Sequence, residues 1–370
     1  SGNLAEELGL GGYVVTQGHA RRVMPDSVVA TQSIVRVPGE GYVDADRSLA
    51  LWNEFKAPAS LIRKGDWIDG PSKGIPGLVV TTGIATAEAL MQAGRQAEAE
   101  GIIKTARDLA QRRLPLAHLR RLRDERDPLG FSREAWRELA ELGLVGMTLP
   151  PEVGGAGLGY AELGLVLEEL GRNLAPTPLF STVALAGAAV LLGDRDSQKS
   201  EVLSRVASGD HLLALAHEEG QRHAPHRIAT TATKAGEGYT ISGEKTFVLD
   251  GHIADSLIVV ARTSGETTAP EGLTLFRIPA DSVGISRART FLVDSRNAAR
   301  VRFSSVFAPR SSILGEVDQG ASVLDAVLDR GATALSAEML GGMQRAFEDT
   351  LAYLKTVSYT HLTLPTNREV

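Results

Sequence analysis

The chain has 370 residues, 43% of them apolar, no cysteine, and a formal net charge of −6 from 39 basic and 45 acidic side chains. That length holds two or three domains. The acidic balance excludes an electrostatic pull toward nucleic acid or anionic membranes, and the missing cysteines exclude disulfides, thiol catalysis and thiolate metal sites. No run of about 18 apolar residues marks a transmembrane helix. The N-terminus lacks the basic and apolar regions of a signal peptide, so the cytoplasm is the expected compartment.

Residues 1–95 form an unassigned segment. Tyr13-Val14-Val15, Ser33-Ile34-Val35-Arg36-Val37 and Gly77-Leu78-Val79-Val80-Thr81-Thr82 read as strands between Gly and Pro turns. From Ala85 the pattern turns helical, with Gly94, Gly101 and Pro115 as interruptions, and Ile102, Ile103, Ala106, Leu109, Ala110 and Leu114 make one apolar face. The arginines between Arg107 and Arg126 alternate with Asp108, Asp124, Glu125 and Asp127, which makes them a solvated face rather than a nucleic-acid patch. Ser132 is placed to cap the helix carrying Trp136, Leu139 and Leu142. The stretch from Leu149 to Leu158 carries Gly154-Gly155-Ala156-Gly157. It lacks a glycine at Tyr160 and any βαβ context, so it reads as a structural turn, not a dinucleotide loop. Leu163, Val166, Leu167 and Leu170, then Leu185 to Leu192, continue a helical bundle.

Between Leu212 and Arg262 the period changes to two. The apolar run Leu212–Ala216 is followed by the polar loop His217-Glu218-Glu219-Gly220-Gln221-Arg222-His223-Ala224-Pro225. Strand-like runs then appear at Ile228–Thr233, Tyr239–Lys245, Thr246–Gly251 and Leu257–Arg262, a β-meander. Gly272–Pro279 and Arg300–Phe303 with Val306 add further strands, and Ile313-Leu314-Gly315 turns into a helix spanning Ala321 to Lys355. Residues 357–370 replace helix formers with Thr, Tyr and Pro, resemble translated sequencing-adapter read-through, and are set aside as a foreign tail.

This order resembles the acyl-CoA dehydrogenase family. His217–Ala224 stands where that family reads Thr-Glu-Pro-x-x-Gly-Ser-Asp, with Glu218 kept. Lys245-Thr246-Phe247-Val248-Leu249-Asp250-Gly251 stands where it reads Lys-x-Trp-Ile-Thr-Asn-Gly, and Leu149-Pro150 through Gly157 matches its Leu-Pro-x-x-x-Gly-Gly-x-Gly loop. The altered positions resemble the divergent small subunits of heteromeric members such as pimeloyl-CoA dehydrogenase. The resemblance implies an α+β multidomain fold: a helical bundle over 96–211, an antiparallel β-barrel over 212–318, and the start of a second helical domain over 319–356. It ties the reading to a closed sheet across 212–315.

It also implies FAD as cofactor, with Ala216, His217, Phe247, Val248 and Leu249 along the flavin edge and His223 toward the substrate. Implied partners are an acyl-CoA, a homologous subunit in a dimer or heterotetramer, and electron-transfer flavoprotein. Thioester oxidation needs a desolvated carboxylate base, donors for the enolate oxygen and a hydride acceptor. The family's usual base lies in later helices, and its minority position falls here on Gly331 and Ala332, so no catalytic residue is assigned. Glu338 and Glu348 read as helix-surface or interhelical carboxylates. The chain as written is therefore expected to hold FAD poorly and not to turn over acyl-CoA, and a non-catalytic supporting subunit is the rival reading. Ordinary strand residues covering a core are the plain alternative for Phe247, Val248 and Leu249. His217, His223 and His226 suggest a metal, but the loop fixes no spacing and no metal is expected. No Gly-x-Ser-x-Gly elbow supports a hydrolase.

Overall fold

The computed structural model describes residues 35–36, 43–44, 96–193 and 197–361. The strands expected at Tyr13 and Gly77, the helical pattern between Ala85 and Arg95, and the tail beyond His361 lie outside the described residues. Two compact units divide the chain, residues 1–104 and 105–370. In the first, β1 (Val35–Arg36) pairs antiparallel with β2 (Val43–Asp44).

Helix α1 (Gln96–Arg113) runs through Gly101 without a break, and Pro115 separates it from α2 (Leu116–Asp124). Proline has no N–H to donate and no room for the preceding turn. Ser132 accepts from the Ala135 N–H at 3.2 Å and starts α3 (Arg133–Glu141), whose Trp136 is buried and donates to the Gly209 carbonyl at 2.8 Å. The basic run is largely paired: Arg107 with the buried Glu169 at 2.7 Å, Arg112 and Arg113 with Glu138, and Arg123 with Asp124. The Gly-rich turn is structural, because a Cβ on Gly155 would overlap the Leu149 carbonyl oxygen. Beyond α4 (Tyr160–Arg172) the chain forms a wholly buried π-helical segment, Phe180–Gly187, which runs into α5 (Ala188–Gly193) and then α6 (Ser197–Ala207). Thr182 ties that segment to the sheet by donating to the Leu213 carbonyl at 3.1 Å.

The sheet comprises β3 (Leu213–Ala216), β4 (Thr231–Ala235), β5 (Gly238–Leu249), β6 (Ser256–Arg262), β7 (Leu273–Pro279), β8 (Ile285–Phe291), β9 (Asn297–Pro309) and β10 (Ile313–Leu314). Its order is β10-β7-β6-β4-β5-β9-β8, with β3 on β6. The expected antiparallel β-barrel is corrected on two counts. The sheet is open: β10 pairs only with β7, and β8 only with β9. It is also mixed, since β3 and β4 both meet β6 in parallel. The β8 edge carries Arg287 and Arg289 and is mostly exposed, the charged margin that keeps an open edge from recruiting another strand. Ala214, Ile241, Val259, Phe276, Val301 and Phe303 form the sheet's core.

Helix α7 (Gly320–His361) packs on α4, and its Gly341 lies so close to α4 that a Cβ there would overlap the Glu168 carbonyl oxygen. Leu324, Val327 and Ala334 are buried, whereas Met339, Met343, Phe347, Leu351 and Leu354 are exposed.

Candidate functional site

The site grows from the end of β3. Ala216 is wholly buried, and the chain then leaves the sheet as the polar loop. Two side chains of that loop converge on one carboxylate oxygen: His217 Nε2 lies 3.3 Å and His223 Nδ1 2.5 Å from Glu218 Oε1. The two imidazole rings sit edge to face, their centroids 6.4 Å apart. Burial pushes the Glu218 carboxyl up, but its bonds to His217 and His223 prevail and hold it down at about 2. The Glu218 bond raises His223, while burial lowers His217.

Strand β5 grips this loop from beneath. Lys245 is 0% exposed, and its Nζ donates to Glu219 Oε1 at 2.7 Å and to the His217 carbonyl at 3.2 Å. Glu219 also accepts from the Ala229 and Thr230 N–H groups at 2.6 and 3.0 Å. Burial lowers the Lys245 ammonium to about 8, with Glu219 opposing the shift. The Thr246 N–H donates to the Glu218 carbonyl at 2.8 Å. At this point β5 bulges. Lys245 faces Val301 and Val248 faces Ala299, so Thr246 and Phe247 oppose the single residue Arg300. Phe247 takes φ of 51° and stays 47% exposed.

The residues expected from the sequence therefore separate. His217 and His223 come together, and Phe247 follows the threonine that is tied to Glu218. Ala216 and Val248 send their side chains into the sheet core, which leaves only backbone for a ligand, and Leu249 is half-buried. His226 leaves the group altogether and bonds Asp325 of α7 at 2.8 Å. Sequence reasoning misses the Glu219–Lys245 pair; its one visible signal is a carboxylate at the place where the family motif has proline. Gly331 is buried, and a Cβ on it would overlap Leu185 Cδ2. Glu338 pairs with Arg296, and Glu348 with Arg172 at 2.6 Å, interhelical in the second case.

The Thr246 hydroxyl and His217 Nδ1 are buried without a partner. With the half-exposed Phe247 ring they suit the face and polar edge of a flat heterocycle. None of these groups lines the cleft that Leu122, Arg123, Arg289, Phe291 and Arg296 form beside β8.

Residues 96–210 match the family model for the acyl-CoA dehydrogenase N-terminal domain, and residues 214–306 that for the acyl-CoA dehydrogenase middle domain. A 3-(aryl)acrylate reductase of Clostridium sporogenes is 30% identical over 264 residues, covering 69% of this chain and 68% of that protein. The chain belongs to the acyl-CoA dehydrogenase family. The mitochondrial isovaleryl-CoA dehydrogenase of Pongo abelii is 31% identical over 60% of this chain, and the match spans only 54% of that relative. Among solved structures, a variant of the Tcur3481-Tcur3483 steroid ACAD is 32% identical with a TM-score of 0.62, covering 70% of this chain and 67% of that one. Butyryl-CoA dehydrogenase from Megasphaera elsdenii is 25% identical with a TM-score of 0.61, covering 69% and 68%. The helical domain, the sheet domain and the following helix are the arrangement of this acyl-CoA dehydrogenase family. Among the described residues no helix is long and apolar enough to cross a membrane.

Proposed function

We propose that the chain is one subunit of a heteromeric flavoprotein that dehydrogenates an acyl-CoA thioester between its α and β carbons. Residues 96–211 would serve as the first helical domain, 212–318 as the sheet domain and 319–356 as the start of the second helical domain. The observation that carries the reading is the β5 bulge, which sets Phe247 and the unpartnered Thr246 hydroxyl beside the His217–Glu218–His223 loop. FAD, when bound, supplies the hydride acceptor. The protein's share is placement: Phe247 offers the stacking surface, and Ala216 and Val248 offer backbone. The Thr246 hydroxyl and His217 Nδ1 offer hydrogen bonds to the ring edge, while Leu249 packs without one. To the half-exposed His223 we assign donation to the thioester oxygen. Electron-transfer flavoprotein is the acceptor we assign, in keeping with the 28%-identical CarC subunit of a caffeyl-CoA reductase-Etf complex from Acetobacterium woodii.

A second reading, a non-catalytic subunit supporting an active homologue, is favoured by Gly331. It stands at the family's minority base position, and its packing against Leu185 and Phe180 leaves a carboxylate no ready space. Flavin content and acyl-CoA bleaching, measured on the chain alone and after co-expression with a homologous subunit, test both. Flavin held poorly by the chain alone, but retained and bleached in the mixture, supports the heteromer. Flavin retained and bleached by the chain alone removes the need for a second subunit. No flavin in either sample rejects the site assignment.

A further inference from the structure

We propose that His217, Glu218 and His223 form a binding site for a divalent first-row transition-metal ion of the zinc or cobalt kind. One ligating atom from each of the three lies within 4.8 Å of the other two. Two imidazole nitrogens and a carboxylate oxygen are a donor set that suits such ions and is poor for magnesium or calcium, which take oxygen. In a tetrahedral site with metal–ligand bonds of about 2 Å, neighbouring donors stand roughly 3.3 Å apart. His217 Nε2 and Glu218 Oε1 already lie at 3.3 Å. His223 Nδ1 sits closer to that oxygen, at 2.5 Å, and would withdraw from it by less than an ångström while keeping to or closing on His217 Nε2, from which it stands no more than 4.8 Å. Its side chain is 54% exposed on a loop, so that movement meets little packing.

The support around the donors is more than a chance meeting of surface groups. Lys245 Nζ fixes the His217 carbonyl, and the Thr246 N–H fixes the Glu218 carbonyl, so backbone contacts hold two of the three ligands from β5. Such outer contacts orient metal ligands and tune their affinity. Three protein donors leave at least one position open to water or to an oxygen of a bound molecule. The alternative is that the three groups only hydrogen-bond one another. A site of this kind does not depend on the flavin assignment, and its test uses neither FAD nor acyl-CoA.

The purified full chain, stripped with a chelator, is titrated with Zn2+ and separately with Co2+. We expect one equivalent of Zn2+, a visible ligand-field band from Co2+, and no competition from Mg2+ or Ca2+. Glu218→Gln and His223→Asn should each weaken binding by at least ~10-fold, with far-UV circular dichroism unchanged. His226→Asn should leave binding as it is. No stoichiometric binding overturns the site, and so does undiminished affinity in both Glu218→Gln and His223→Asn, or an equal loss in His226→Asn.

Discussion

Arg262 closes the apolar run of β6, and nothing in its sequence neighbourhood sets it apart. In the folded chain its guanidinium is buried and donates to the carbonyls of His226, Ile228, Ser264, Thr267, Ala269 and Glu271. It staples the exit of the site loop to the β6–β7 connection, a task for a planar fork and not for a point charge. Arg262→Lys should therefore cost about 2–3 kcal/mol, since several charge-assisted bonds lose their geometry together. Urea denaturation reads this directly, and a loss below about 0.5 kcal/mol, the range of a neutral surface change, would show the staple to be dispensable. Asp250 makes a second prediction. It is buried, accepts from Ser181 at 2.5 Å, and burial lifts its carboxyl to about 6, well above the ordinary aspartate range. A raised carboxyl contributes stability that is full below the unfolded value and is lost as pH rises through about 6. Asp250→Asn keeps the hydrogen bond and removes the titration. It should match the parent near pH 4 and exceed it by roughly 1–3 kcal/mol at pH 7. A difference that stays constant with pH would exclude the assignment. Neither residue's role was legible, because both depend on partners far away in the chain.

Among the elements, period-two alternation revealed most of the strands, and a long apolar period revealed α7. Strand β8 escaped because Ile285-Ser286-Arg287-Ala288-Arg289-Thr290-Phe291 is mostly exposed, reaches the core only through the partly buried Ile285, and shows no alternation. The parallel seat of β3 on β6 escaped as well, since pairing direction is not written in a strand's own residues. The β5 bulge looks in sequence like an unbroken run, yet it shapes the proposed site. It holds Phe247 at a positive φ that an L side chain enters at a cost of about 1 kcal/mol. Phe247→Gly should raise the unfolding free energy by roughly that amount while lowering flavin retention, opposite signs that thermal melts and absorbance can separate. Beneath the bulge, Glu219→Gln leaves the Lys245 ammonium buried without its counter-charge and should cost about 3 kcal/mol. A Lys245→Met, Glu219→Gln pair, which keeps an acceptor for the Ala229 and Thr230 N–H groups, should recover most of the loss, and a double variant no better than the singles would refute the coupling.

For the whole molecule, the family and the order of helical and sheet domains were legible from motifs, while closure was not. Whether two edges meet depends on twist and on residues that never contact in sequence, and here the edges do not meet. The helical period of α7 likewise said that the segment is a helix, but not what covers it. From Met343 to Lys355 every residue is exposed, whereas Leu324, Val327, Ala334 and Gly341 lie against the rest of the second unit. Beside the Glu348–Arg172 pair, this exposed half gains little apolar burial from tertiary packing and is marginal on its own. Amide exchange should accordingly quicken sharply beyond Gly342, and uniform protection along the helix would contradict this. The exposed half thus works as a gauge that reads helix propensity separately from global cohesion. Thr350→Ala should slow exchange along the outer half by a few tenths of a kcal/mol, while the melting midpoint of the anchored body stays where it is.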